Sequence, residues 1–329
     1  MARRILAIGL AAFIVALAWV GWFCLRPLEP PRLPFDFTVK SGASLKTVAR
    51  NLAQEGLLPE GQTFWLLGRA LGKAGSVQAG TYRVERALTP LELLDKIASG
   101  DVLPIEIVFV EGTTLRQWLE QMRQHPHIRA TPGGDSEAAI RAAVGVPEPA
   151  LEGLFFPDTY RFLSGTADTE ILKRAHAAMA KRLARAWETR APDLPLATPY
   201  EALILASIIE KETGQNGERP TIASVFMNRL RLGMRLQTDP TVIYGMGERF
   251  DGNLRKRDLT TDTPWNTYTR DGLPPTPIAM PGAASLAAAV HPSTTPYFYF
   301  VGRGDGTHQF SRTLEEHNRA VAKYQLGKP

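Results

Sequence analysis

Two glutamates, Glu210 and Glu212, stand at the end of an otherwise apolar run, Ala202-Leu-Ile-Leu-Ala-Ser-Ile-Ile209. The run is apolar on nearly every helical face, so it predicts a helix buried in the centre of a domain. Carboxylates at a helix C-terminus are unusual, because that end carries negative partial charge. Helical spacing puts Glu212 on the face of Leu205, Ile208 and Ile209, and Glu210 on that of Leu203, Ala206 and Ser207. A carboxyl held there, against the dipole and away from water, has a raised pKa. That is the property of a general acid able to protonate a glycosidic oxygen. The same Glu-Lys-Glu pattern also describes a helix end fraying into solvent, and the pair alone leaves both readings open.

Other catalytic signatures are absent: the chain has no Ser-x-x-Lys, no Gly-x-Ser-x-Gly, no Gly-x-x-x-x-Gly-Lys and no His-Glu-x-x-His. Gly302-Arg-Gly304-Asp-Gly306 lies between two short aromatic strands and reads as a hairpin turn, not a dinucleotide loop. His125 and His127 have no third ligand at suitable spacing and read as solvated loop histidines. Polar stretches follow the glutamates: Val225–Leu230, Gly233–Gly245, Pro264–Tyr268, Gly272–Pro275 and Ile278–Gly282. They read as loops rich in Asn, Gln, Thr and Tyr, groups that suit a neutral, hydroxyl-rich ligand such as a sugar chain. Asp239, just before Pro240, reads as a structural turn residue.

The elements that must position these groups come next. The chain has 329 residues with 38 basic and 33 acidic side chains, a net charge of +5. Three of the arginines lie in residues 1–26, which hold no acid, so the remainder is close to neutral. Nucleic-acid binding therefore has little support. A single cysteine, Cys24, excludes an internal disulfide framework or a Cys-rich metal site. Ile5–Leu25 is an uncharged stretch long enough to span a bilayer, preceded by Arg3 and Arg4 and ending among Trp19, Trp22 and Phe23. With no small-residue cleavage site before Arg26-Pro27, it reads as an uncleaved anchor with a cytoplasmic N-terminus. The following domains are then periplasmic if the source is bacterial. A Pro-rich spacer covers 27–34.

Three strand–turn–helix units follow. Phe35–Val39 leads through Ser44 into Leu45–Glu55, Thr81–Val84 through Thr89 into Pro90–Ile97, and Ile107–Val110 through Thr113 into Leu115–Met122. They resemble the LysM module, a small glycan-binding fold, and equally describe a generic βα packing unit. Glu152-Gly-Leu-Phe-Phe-Pro-Asp-Thr-Tyr160 reads as a packed turn, about 168–188 as an amphipathic helix with a solvated basic face, and 297–310 as a hairpin before a helix capped by Thr313 and Glu316.

Taken with Ile209-Glu-Lys-Glu-Thr213, Phe156–Tyr160, Leu236–Val242, Tyr244-Gly245, Asn266–Tyr268 and Gly272–Pro275, the chain closely resembles the MltG (YceG-like) family of endolytic murein transglycosylases. The resemblance implies that Glu212 is the catalytic acid, with Glu210 as the fallback. It implies substrate-binding roles for Gln237, Thr238, Asn266 and Tyr268, with Trp265 where the family often has Tyr. It also implies cleavage of the MurNAc-β-1,4-GlcNAc bond with formation of 1,6-anhydro-MurNAc ends, without metal or cofactor. The expected setting is the inner membrane, acting on peptidoglycan glycan strands, with penicillin-binding proteins as partners and no nucleic acid. The expected fold class is α+β: residues 1–26 form a short N-terminus and transmembrane helix, 27–34 a spacer, 35–104 a LysM-like module, and 105–329 a catalytic domain. Two other functions fit parts of the pattern, a non-catalytic glycan-binding scaffold for cell-wall synthases and a hydrolytic muramidase.

Overall fold

A computed structural model describes residue 14 and residues 18–134, 136–146, 148 and 150–327. The chain is α+β, as expected, and divides into two compact units. The expected membrane span falls largely outside the described residues. Among the described residues no helix is long and apolar enough to cross a membrane.

The first unit takes in the chain up to Glu106, together with 127–129 and 161–166. Strand β1 (Phe35–Val39) pairs antiparallel with β2 (Gly80–Val84), Phe35 opposite Val84 and Val39 opposite Gly80. Every second residue of β1 is buried, the mark of a sheet with one covered face. Helix α1 (Leu45–Gln54) covers it with Leu45, Val48, Ala49 and Leu52, and starts where Ser44 accepts from Thr47 N. Helix α2 (Gly61–Ala70) was not expected from the sequence. Its Gly68 lets the backbone close on Leu45, whose side chain fills the place of a Cβ. Helix α3 (Pro90–Ser99) opens with a Thr89–Glu92 capping box and ends at Gly100 in the left-handed region (φ 72°). Phe64, Leu93, Leu94 and Ile97 are fully buried here, each contributing about 2 kcal/mol. Leu28, within the Pro-rich segment, is also buried and donates its N–H to Leu88 O (2.8 Å).

Two short ribbons pair β3 (Ile105–Val108) with β5 (Thr159–Phe162) and β4 (Ile128–Arg129) with β6 (Thr166–Ala167). Strand β3 begins two residues earlier than its hydrophobic run suggested. The second unit takes in 107–126, 130–160 and 167–329. Helix α4 (Leu115–Gln124) is capped by Thr114 and Gln117. Helix α5 (Glu137–Val144) was not expected from the sequence, and among its residues only Ile140 is buried.

Helix α6 (Asp168–Glu188) and helix α7 (Pro199–Glu212) follow. Every residue of α7 from Ala202 to Ile209 is buried, so its lack of amphipathicity reflects packing on all sides. It is enclosed by α6, α8 (Arg219–Arg231), α9 (Asp239–Met246) and α11 (Ala283–Val290). Helices α8 and α9 replace what read as polar loops. Ile222–Met227 of α8 is buried without a polar face, and α9 is only eight residues long, with Pro240 in its first turn. The short α10 (Lys256–Thr260) precedes α11. Strands β7 (Tyr299–Gly302) and β8 (His308–Ser311) form the expected hairpin, and α12 (Leu314–Tyr324) has the expected Thr313–Glu316 box.

Candidate active site

Glu212 is the last residue of α7, and it lines a cleft of about 560 Å³ with Gln237, Thr238, Asp239, Tyr268, Tyr299 and His308. The cleft lies wholly within the second unit. Thr213 leaves the helix in an extended conformation, which frees the Glu212 side chain from any further turn. Burial pushes its carboxyl up to about 7, and the nearby charge of Asp239 adds to this. The Thr238 hydroxyl, which donates to Oε1, opposes the rise, as do His308 and Arg229.

Thr238 is fixed by its neighbours. Its N–H donates to Thr267 Oγ1 (3.1 Å), and its carbonyl accepts from Thr241 Oγ1 (2.7 Å), which is itself 2.9 Å from Thr267 Oγ1. Gln237 reaches the cleft through a left-handed backbone (φ 49°), rare for a residue with a Cβ, and donates its N–H to Thr267 O (3.1 Å). Arg229 clamps the loop from below. It donates from Nη1 to Arg235 O (3.1 Å) and Leu236 O (2.9 Å), and from Nε to Phe298 O (2.7 Å). Its guanidinium also lies 5.1 Å from the Tyr299 ring, whose centre is 5.3 Å from that of His317.

The remaining expected site residues divide. Tyr268 lines the cleft and donates its hydroxyl to Asp239 Oδ1 (2.6 Å). Asp239, expected in a turn, is the first residue of α9. Asn266 is fully buried beneath the loop. Its amide donates to Leu259 O (3.1 Å) and Thr261 O (2.7 Å), and its Oδ1 accepts from Tyr268 N (2.8 Å), so it shapes the backbone and does not face the cleft. Trp265 donates to Thr276 Oγ1 (2.8 Å) and packs edge-on to Tyr244. Glu210 points away from Glu212. Its carboxylate pairs with Arg219 Nη2 (3.0 Å), both side chains nearly inaccessible, and accepts from Gly282 N (2.8 Å). It ties the end of α7 to α8 and to the entry of α11. Arg229, Tyr299, His308 and His317 were not singled out from the sequence. They come from helices and strands far apart in the chain, and no local spacing marks them.

The geometry is therefore a buried carboxyl with a raised pKa, beside a second carboxylate, Asp239, on a polar cleft walled by aromatic rings, a form suited to a sugar chain. The chain matches the YceG-like family over residues 37–323. It belongs to that family. The YceG-like match takes in α7, the loop before α9 and the β7–β8 hairpin, so every residue of the cleft except Gln325 lies within it. Among curated relatives, the endolytic murein transglycosylase of Bacillus subtilis is 31% identical over 323 residues, covering 92% of this chain and 89% of that one. The endolytic murein transglycosylase of Streptococcus pneumoniae is 24% identical, and the match covers 96% of this chain and 64% of that protein. A crystal structure of a YceG-like protein from Listeria monocytogenes superposes with a TM-score of 0.57 at 29% identity, covering 87% of this chain and 98% of that one.

Proposed function

We propose that this protein is an endolytic murein transglycosylase in which Glu212 is both acid and base. The observation that carries the reading is the Glu212 carboxyl, lining the cleft, bonded by the Thr238 hydroxyl and raised by burial to about 7. A carboxyl of that pKa is substantially protonated at neutral pH yet gives up its proton readily. Protonated Glu212 donates to the glycosidic oxygen of a MurNAc-β-1,4-GlcNAc bond as the bond from C1 breaks. The MurNAc N-acetyl group assists the departure. The Glu212 carboxylate then takes the proton of the same sugar's 6-hydroxyl while O6 bonds to C1, closing a 1,6-anhydro ring. The proton count balances, and no water is consumed. One titrating carboxyl serves both steps, whereas hydrolysis generally needs a second.

In this reading Gln237 and Tyr268 contact the saccharide, Thr238 sets the Glu212 geometry, and Asn266 holds the Tyr268 backbone. The stretch Ile5–Leu25 anchors the chain in the inner membrane with the cleft in the periplasm, supported by its uncharged length and the preceding arginines. The first unit serves as a LysM-like glycan holder, supported by its paired β1–β2 strands and capped helices. Penicillin-binding proteins are the proposed partners, since strand cleavage at the membrane must be coordinated with synthesis.

Asp239 favours one other reading, a hydrolytic muramidase, because it is a second carboxylate on the same cleft. The test of the main reading is release of soluble fragments from purified peptidoglycan by the full chain in detergent. Release by wild type and not by Glu212→Gln supports it. Equal release by both overturns the role of Glu212.

A further inference from the structure

Glu218 occupies the N-cap position of α8, where an acidic side chain normally accepts from the first free N–H groups of the helix. It makes no such bond. Both of its carboxylate oxygens go instead to one residue, 90 positions away: Oε1 accepts from His308 N (3.0 Å), and Oε2 lies 2.7 Å from His308 Nδ1. The carboxylate is thus committed to His308 and not to the helix end. Because a carboxylate only accepts, Nδ1 must carry a proton, and the tautomer is fixed. The ring also packs against Phe300, at 5.4 Å and perpendicular, and Phe310, at 6.4 Å and tilted.

Such a ring is aimed, and it is aimed within the cleft that Glu212 lines. His308 and Glu212 line the same cleft, together with Gln237, Thr238 and Tyr268. Among the described residues Nε2 has no hydrogen-bond partner in the protein. We infer that His308 Nε2 is a substrate contact that binds a sugar hydroxyl of the glycan strand beside Glu212, and that Glu218 is the positioning residue that orients it. A hydroxyl is the complementary group because it donates to a neutral imidazole and accepts from a protonated one. The inference rests on the saccharide reading of the cleft. It adds a contact outside the loops that carry Gln237 and Tyr268.

The test separates binding from turnover. In a Glu212→Gln background, binding of purified uncrosslinked glycan strands is measured by titration calorimetry, with and without a second change. His308→Ala is expected to weaken binding about tenfold, the equivalent of one hydrogen bond. His308→Gln, whose amide reaches the position of Nε2, is expected to restore it to within about threefold of the parent. Glu218→Ala should weaken binding about as much as His308→Ala, because it releases the ring while leaving Nε2 chemically intact. In the active chain the same changes should raise KM with kcat little altered. Unchanged binding in His308→Ala overturns the inference alone and leaves the catalytic reading standing. Equal loss in His308→Ala and His308→Gln, with a lowered thermal midpoint, assigns the pair to structure and overturns it as well. A parent chain that binds no glycan strand removes the saccharide reading and this inference together.

Discussion

Thr238 donates its hydroxyl proton to Glu212 Oε1 from a loop that Thr267 and Thr241 hold in register. The bond favours the charged carboxylate and so works against the burial that raises its pKa. Thr238→Val keeps the shape and removes the donor. Glu212 then titrates higher, and the alkaline limb of the kcat/KM profile, which reports the protonated acid, moves up by about one pH unit. A limb that stays in place would show that the hydroxyl does not bear on the reacting carboxyl.

Asp239 acts on the same carboxyl with the opposite sign. Its charge disfavours ionised Glu212, so Asp239→Asn should move the alkaline limb to lower pH. Activity should remain within about tenfold, since the Asn carbonyl can still accept from Tyr268. Loss of about a thousandfold or more would instead mark Asp239 as the second carboxylate of a hydrolase.

Glu210 and Glu212 stand two residues apart and should fail in different ways. Glu210→Ala leaves Arg219 buried without its carboxylate partner and should cost about 3–5 kcal/mol in urea unfolding. Glu212→Gln should unfold at a urea concentration no lower than wild type, since burial raises the pKa of this carboxyl, while losing catalysis. Equal stability of the two variants would contradict the structural role assigned to Glu210.

How far these roles could be read in the sequence varies by residue. The central position of α7 was legible because a helix apolar on all sides has only one place to go. The caps at Ser44, Thr89 and Thr313 were legible because capping is local. Helix α8 was not, since its buried residues do not fall on one face and its Asn and Arg suggested solvent. Asn266 has the chemistry of a sugar contact, but burial turns its amide toward backbone carbonyls. The Glu210–Arg219 and Glu218–His308 pairs depend on how α7, α8 and β8 meet, which no residue spacing encodes.

Glu152 offers a pH test away from the cleft. It is buried, accepts from Leu115 N (3.0 Å) and Tyr244 Oη (3.3 Å), and burial pushes its carboxyl up to about 7 from 4.5. Between those values the folded chain holds the proton more tightly than the unfolded chain, so this group's contribution to stability falls as pH rises from 4.5 to 7. Glu152→Gln should therefore gain on wild type between pH 5 and pH 8, by up to ~3 kcal/mol in chemical unfolding. A gain in the other direction would mean that Glu152 is ionised and stabilising in the folded chain.

The most direct measurement is mass spectrometry of the fragments that the full chain, solubilised in detergent, releases from purified peptidoglycan. Fragments ending in 1,6-anhydro-MurNAc, one water lighter than hydrolytic products and long at early times, are expected from endolytic cleavage by Glu212 acting alone as acid and base. Fragments with free reducing ends would contradict it and turn attention to Asp239 and an attacking water.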